Sequence, residues 1–154
     1  MRVALYQPDI PQNTGTILRL AACLSVPVDV IAPTGFDISD KALKRASLDY
    51  LAHVDLTRHA DWSAFQTWRR ERKNPRLVLL TTQASMRHIE FRFTSSDILL
   101  LGRESAGVPA SIHQEADERI RIPMRAGLRS INIAMATAIV LGEALRQTNQ
   151  YPPS

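Results

Sequence analysis

The chain has one cysteine, six glycines and an aromatic content of only 6% in 154 residues. A lone Cys23 cannot close an intramolecular disulfide, and no Cys-x-x-Cys spacing exists to hold a metal or run a redox cycle. Cys23 therefore reads as a small buried residue of a helix, in a chain suited to a reducing cytoplasm. No apolar run approaches the ~18 residues that a spanning helix needs. Pro8-Asp9 cuts short the apolar N-terminal run, so neither a signal peptide nor a membrane partner is expected. No Gly-x-Gly-x-x-Gly follows the first apolar run. Gly102 and Gly107 have P-loop spacing, but Val108-Pro109 stands where Lys-Ser/Thr is required. Ser105 lies outside any Gly-x-Ser-x-Gly. His53, His59, His88 and His113 lack ligand spacing and read as surface or internally satisfied histidines, so no metal centre is expected. The few aromatics disfavour a broad base-stacking platform.

What is present is 45% apolar and 22% charged residues, the balance of a soluble globular protein. A chain of this length buries roughly 68–70% of its unfolded surface. It reads as one domain over residues 1–150 with a short frayed tail, 151–154. The formal charge is +4, unevenly spread: residues 1–40 carry two basic and four acidic side chains, residues 41–76 nine and four. Lys41, Lys44 and Arg45 recur at helical spacing, and Arg69, Arg70, Arg72 and Lys73 form a second cluster. Such a face suits a phosphate-backbone partner or, equally, a solvated helix surface.

Periodicity predicts strands at Arg2–Tyr6, Val28–Ile31, His53–Leu56, Arg76–Thr81, Asp97–Leu101 and Arg119–Ile122. It predicts helices at Thr14–Ser25, Ser39–Ala46, Asp61–Arg72, Ser111–Ala116 and Ser130–Gln147. Asn13 or Thr14 is the expected cap of the first helix, whose stripe is Ile17, Leu20, Ala21 and Leu24. Alternation of strand and helix argues an α/β fold with a mainly parallel sheet covered on both faces. The last helix, with Ile131, Ile133, Met135, Ile139, Val140, Leu141 and Leu145, has little polar face. It needs cover on more than one side, and a subunit interface would supply it.

Three polar segments fall at strand ends. Asn13 and Gly15 can shape a turn before the first helix, and Arg19 lies off its apolar stripe. Glu104 follows the run Asp97–Leu101, where open α/β sheets place ligands beyond the carboxyl ends of their strands. It reads as a site carboxylate or as the partner of a nearby Arg. Ser130 reads as a site residue or as the cap of the last helix. Asn132 needs a partner if buried.

Gln12-Asn13-Thr14-Gly15 with Arg19, Leu101-Gly102-Arg103-Glu104 with Gly107-Val108-Pro109, and Ile120-Arg121-Ile122-Pro123-Met124 with Ser130-Ile131-Asn132 resemble the three motifs of SPOUT-class RNA 2′-O-methyltransferases. More narrowly, the chain is similar to the minimal single-domain branch that methylates the ribose of the tRNA wobble nucleotide, 34. Gly35-Phe36, Leu48-Asp49-Tyr50 and Leu80-Thr81-Thr82 extend the resemblance over about residues 1–148. It departs from the common pattern at Arg103, where Pro is usual, at Ile133-Ala134-Met135, and at Gly142 and Leu145, where aromatics are usual.

The resemblance implies a sheet of about six strands, a deep C-terminal trefoil knot, and a homodimer packed through the first and last helices. It implies S-adenosylmethionine as cofactor, S-adenosylhomocysteine as product and tRNA as substrate. The cofactor pocket would include Leu80, Gly102, Ile122, Met124 and Ser130. Catalysis would fall to Arg19, Glu104 and Asn132, and RNA contact to Asn13, Lys41, Lys44 and Arg45. Arg19 could act as a deprotonated base or as a charged clamp on phosphate and developing oxyanion. A guanidinium has no acceptor, which favours the clamp. A same-class methyltransferase acting elsewhere on tRNA or on rRNA, and a non-catalytic RNA-binding module, are the competing readings.

Overall fold

The computed structural model describes residues 1–37 and 41–153. In chain order it runs β1 (Arg2–Tyr6), α1 (Pro11–Cys23), β2 (Val28–Ile31), α2 (Lys41–Ser47), a 3₁₀ turn (Leu48–His53), β3 (Leu56–His59), α3 (Trp62–Glu71), β4 (Leu77–Leu80), β5 (Ile98–Leu101), α4 (Ala110–Glu115), β6 (Glu118–Ile120) and α5 (Ile133–Thr148). The expected start of the second helix, at Ser39, lies outside the described residues, as does Ser154 of the tail.

All six strands are parallel, in the order β3-β2-β1-β5-β4-β6. The unbroken apolar runs of β4 and β5 are explained by cover on both faces. Val3, Leu5, Val28, Val30, Val78, Leu99 and Leu101 meet α1 and α5 through Ile17, Leu18, Ala21, Val140 and Leu141. The alternate residues Ala4, Tyr6, Leu77, Leu79, Ile98 and Leu100 meet Phe65 of α3 and Ile112 of α4. Phe65 is sandwiched between Trp62 and Trp68 of its own helix, at ring separations of 5.3 and 5.9 Å.

Several boundaries move, each for a local reason. The third strand is Leu56–His59, not His53–Leu56, because Leu48–His53 winds as a 3₁₀ turn and β3 pairs with β2 from Val28 to Leu56 onward. Its polar Thr57, Arg58 and His59 disguised an edge strand. His59 is buried, and its Nε2 meets Asp29 Oδ1 at 2.8 Å. Helix α1 begins at Pro11 with Ile10 as its cap, so neither Asn13 nor Thr14 caps it. Proline at the first helical position has its φ preset and no N–H to satisfy.

Gly15 sits inside α1 rather than in a turn. A Cβ there would lie 2.6 Å from Ala46 Cβ and 2.8 Å from the Leu43 carbonyl oxygen, so glycine sets the close packing of α1 on α2. Cys23 is exposed, not buried. It falls two residues, roughly 200°, around the helix from buried Ala21. The tail is anchored at Tyr151, whose hydroxyl donates to the Gly142 carbonyl at 3.2 Å. A side chain at Gly142 would crowd that hydroxyl.

The second basic cluster is partly engaged, while Arg70, Arg72 and Lys73 remain exposed. Arg69 is buried and paired with Asp117, Arg70 donates to Thr67, and Arg72 lies 4.3 Å over the Trp68 ring. Lys41, Lys44 and Arg45 are exposed on α2.

Candidate active site

Beyond the carboxyl ends of β4, β5 and β6 lies a cavity of about 360 Å³. Leu80, Leu101 and Ile120 stand side by side in the register at that edge, and the chain that leaves each strand supplies a wall. The β5 exit gives Gly102, Arg103, Glu104, Gly107 and Val108; the β6 exit gives Ile122, Met124 and Ser130 through Ile133. Ile10 and Asn13 enter from the start of α1, and Ala136 from α5.

The β5 exit is a closed loop. Arg103 N donates to the Gly107 carbonyl at 2.9 Å and Gly107 N returns the bond at 2.8 Å. A Cβ on Gly102 would sit 2.6 Å from the Gly107 carbonyl carbon, which excludes any side chain there. Gly107 itself has φ of +64°. The Gly-x-x-x-x-Gly spacing thus serves a loop crossing, not a phosphate cradle.

Asp9, which the sequence reading passed over, holds this loop to the β1–α1 connection. Its backbone N–H donates to Glu104 Oε2 at 3.1 Å, and its Oδ1 accepts from Glu104 N at 3.1 Å. Its Oδ2 accepts from Ser105 Oγ and lies 3.7 Å from Arg103 Nε. The hydrogen-bonded Glu104 carboxyl, Ser105 and the Arg103 charge together hold Asp9 below the ordinary carboxylate range. Burial, then contact with Asp9, pushes Glu104 above it. Two carboxyl groups in contact oppose each other's ionisation, and the more buried one bears the upward shift. The faint signal in the sequence was a polar residue directly after Pro8 at the end of a buried strand.

The polar edge continues through amides. Asn13 Nδ2 donates to Glu104 Oε1 at 3.4 Å, and Asn132 Nδ2 donates to Asn13 Oδ1 at 3.0 Å. Asn132, not Ser130, caps α5: its Oδ1 accepts from Ala134 N at 2.9 Å and Met135 N at 3.3 Å. Asn132 is exposed, so a cap explains it better than a buried polar group does. Because α1 starts early, Asn13 is freed from capping and joins this chain. Ser130, relieved of that role, is exposed on the cavity wall.

The cavity thus unites Leu80, Gly102, Ile122, Met124 and Ser130 with Asn13, Glu104 and Asn132. Arg19 does not line it. Arg19 is exposed on α1, its guanidinium 5.1 Å from the centre of the Tyr50 ring. Lys41, Lys44 and Arg45 also lie outside the lining. Among the described residues no group of three His, Cys, Asp or Glu side chains could hold a metal ion. No described helix is long and apolar enough to cross a membrane.

Residues 1–142 match the SpoU rRNA Methylase family. The chain belongs to this family. Among SpoU relatives, the tRNA (cytidine(34)-2′-O)-methyltransferase of Beijerinckia indica is 56% identical over 94% of this chain and 90% of its own length. A solved SpoU-like structure described as structural insights into the 2-OH methylation of C/U34 on tRNA has a TM-score of 0.88 at 39% identity, covering 95% of this chain and 94% of its own. The SpoU methyltransferase AviRb from Streptomyces viridochromogenes, solved with the cofactor AdoMet, has a TM-score of 0.88 at 28% identity. It is longer: this chain covers 57% of it. A mainly parallel α/β sheet of six strands is common ground between the sequence reading and the SpoU fold seen here.

Proposed function

We propose that this chain transfers a methyl group from S-adenosylmethionine to the ribose 2′-hydroxyl of tRNA nucleotide 34. The observation that carries the reading is the near end-to-end similarity to a relative named for that reaction. The cavity supports it. Leu80, Ile122, Met124 and Ile133 give apolar walls for a flat base, and the strand-exit backbone at Gly102 and the Ser130 hydroxyl suit a zwitterionic tail. Bound there, the cofactor supplies an electrophilic methyl group.

The chain's own residues do the rest. Asn13, Glu104 and Asn132 form one hydrogen-bonded edge that fixes where the ribose lies, and alignment of hydroxyl with methyl supplies much of the acceleration. The hydroxyl loses its proton as it is methylated. Arg19, always charged and without a lone pair, holds phosphate or developing oxyanion charge. Glu104 is the ionisable carboxyl this edge offers as proton acceptor.

A homodimer belongs to the same reading. Met135 and Ile139 on α5 are 59% and 42% exposed, an apolar face that a second copy packed through α1 and α5 covers. In that dimer Arg19, absent from the lining of its own cavity, is assigned to the neighbouring copy's. The deep C-terminal knot is part of the reading too, supported by a sheet order in which β6 lies beside β4 rather than β5. One domain over residues 1–150, working in the cytoplasm, completes it.

The test is to incubate the purified protein with S-adenosylmethionine and tRNA lacking the modification, then map ribose methylation by mass spectrometry. Methyl on nucleotide 34 is expected. Methyl on another nucleotide or on rRNA alone overturns the position, and binding of tRNA without transfer overturns the catalytic reading.

A further inference from the structure

We propose that the segment Arg121–Arg129, the outer side of the cavity wall, is a strap that grips the phosphates flanking the target nucleotide. The proposal rests on the RNA reading above and says where the backbone is held.

Sequence supplies the first observation. Between Glu118 and Glu143 there is no acidic residue, while Arg119, Arg121, Arg125 and Arg129 fall within that stretch. Structure supplies the second. Exposure alternates along the extended chain that leaves β6: Ile122 and Met124 turn toward the cavity, whereas Arg121, Pro123 and Arg125 face water. From Arg125 to Ser130 every residue is exposed. Each arginine thus sits next to a cavity-lining residue: Arg121 beside Ile122, Arg125 beside Met124, Arg129 beside Ser130.

The third observation is that most arginines elsewhere among the described residues are engaged, the exposed Arg19, Arg45, Arg58 and Arg92 being those whose side chains, like the strap's, have no ion pair or hydrogen bond. Arg2 pairs with Asp29, Arg69 with Asp117, Arg76 with Asp97, Arg87 with Glu90, Arg103 with Asp9 and Arg146 with Glu143. Arg119 folds back onto the carbonyls of His113 and Gln114 at 2.7 and 3.0 Å. Among the described residues, the side chains of Arg121, Arg125 and Arg129 have no ion pair or hydrogen bond. Three uncompensated guanidinium groups on one strap, with no carboxylate in the segment to recruit, complement a polyanion. They stand beside three successive lining residues of the cavity, where a backbone led past it would run, and guanidinium forks suit phosphate oxygens. The α2 cluster, Lys41, Lys44 and Arg45, lies outside the cavity lining and is a second, more distant patch.

The decisive comparison is among wild type, a triple Arg121→Gln/Arg125→Gln/Arg129→Gln variant, and the matching triple to Lys. tRNA affinity is measured by filter binding from low to high salt, alongside cofactor affinity by calorimetry. Each released phosphate contact on single-stranded RNA changes the log–log salt slope by about 0.7, so three contacts give about 2. The Gln triple is expected to bind tRNA at least tenfold more weakly, with a slope reduced by about 2 and cofactor affinity within about twofold of wild type. The Lys triple is expected to keep most of the slope. A Gln triple with wild-type tRNA affinity and slope overturns the strap while leaving the enzyme reading intact. A wild type that neither binds nor methylates tRNA overturns the reading beneath it. A fall in cofactor affinity equal to the fall in RNA affinity also overturns the strap, since it makes the segment a cofactor wall only.

Discussion

Asp9 and Glu104 clasp each other through their backbones: each carboxylate accepts the other residue's amide N–H at 3.1 Å. The clasp joins the β1–α1 connection to the β5 exit, so the position of Glu104 in the cavity depends on a residue 95 positions earlier. Asp9→Ala leaves Glu104 N and Ser105 Oγ without their acceptor and Arg103 without its counter-charge. A stability loss of about 1–3 kcal/mol is expected from urea unfolding. Methyl transfer should fall by roughly 100-fold, because small misplacements of a positioned group are that costly.

The same pair predicts a pH dependence. Glu104 is held above the ordinary glutamate range by burial and by its Asp9 neighbour. It therefore keeps its proton to higher pH, and the ionised form that the proposed acceptor role requires forms at higher pH than in an ordinary glutamate. The acid limb of kcat/KM should lie above the usual ~4.3 of a glutamate. In Asp9→Asn the neighbouring charge is gone and the limb should move to lower pH. A limb that stays put when Asp9 is changed removes Glu104 from the role of acceptor.

Arg19 separates binding from transfer. Arg19→Ala should reduce turnover by about 10²–10³, the worth of one well-placed donor to developing charge. Cofactor affinity should stay within about twofold, since the role proposed for Arg19 is to hold phosphate or developing oxyanion charge rather than the cofactor. Calorimetry and single-turnover transfer on the same preparation check both halves.

Gly102→Ala places a methyl group against the backbone of Gly107, which has no flexible end to move aside. The loop must open, and cofactor affinity should drop by at least tenfold. Wild-type affinity in this variant would mean that the loop crossing is not what shapes the cavity.

The buried Asp29 sits between Arg2 Nε at 2.7 Å and His59 Nε2 at 2.8 Å, with no exposure of its own. Asp29→Ala strands the buried His59 and takes the main partner of half-buried Arg2, and should cost about 3–5 kcal/mol in chemical denaturation. Cofactor affinity of the folded fraction should be unchanged, because neither β2 nor β3 reaches the cavity.

The readable parts of this protein were those fixed by local pattern. β4 and β5 fell within a residue of their expected bounds because continuous apolar runs leave no other choice, and β2 fell on its expected residues although Asp29 interrupts its apolar pattern. β3 was misplaced because an edge strand can be polar, and its ladder is set by β2 rather than by its own alternation. Cavity-lining Leu80, Gly102, Ile122, Met124 and Ser130 were legible through the motifs that carry them. Asp9 was not, because its importance comes from a loop that sequence places far away. Ser130 reads equally as a site residue or as the cap of α5, since Ser130 and Asn132 are both good caps two residues apart and only the extended exit from β6 decides between them.

The bond from Asn132 to Asn13 spans 119 positions, and the cavity it helps close takes its last wall residue from Ala136 of the final helix. A nascent chain therefore holds walls from the β4 and β5 exits before it holds the closing one. Until the last helix is docked, Asn13 has no Asn132 amide to meet and the cavity lacks the wall that Ile133 and Ala136 supply. The cavity is completed last by the part of the chain made last.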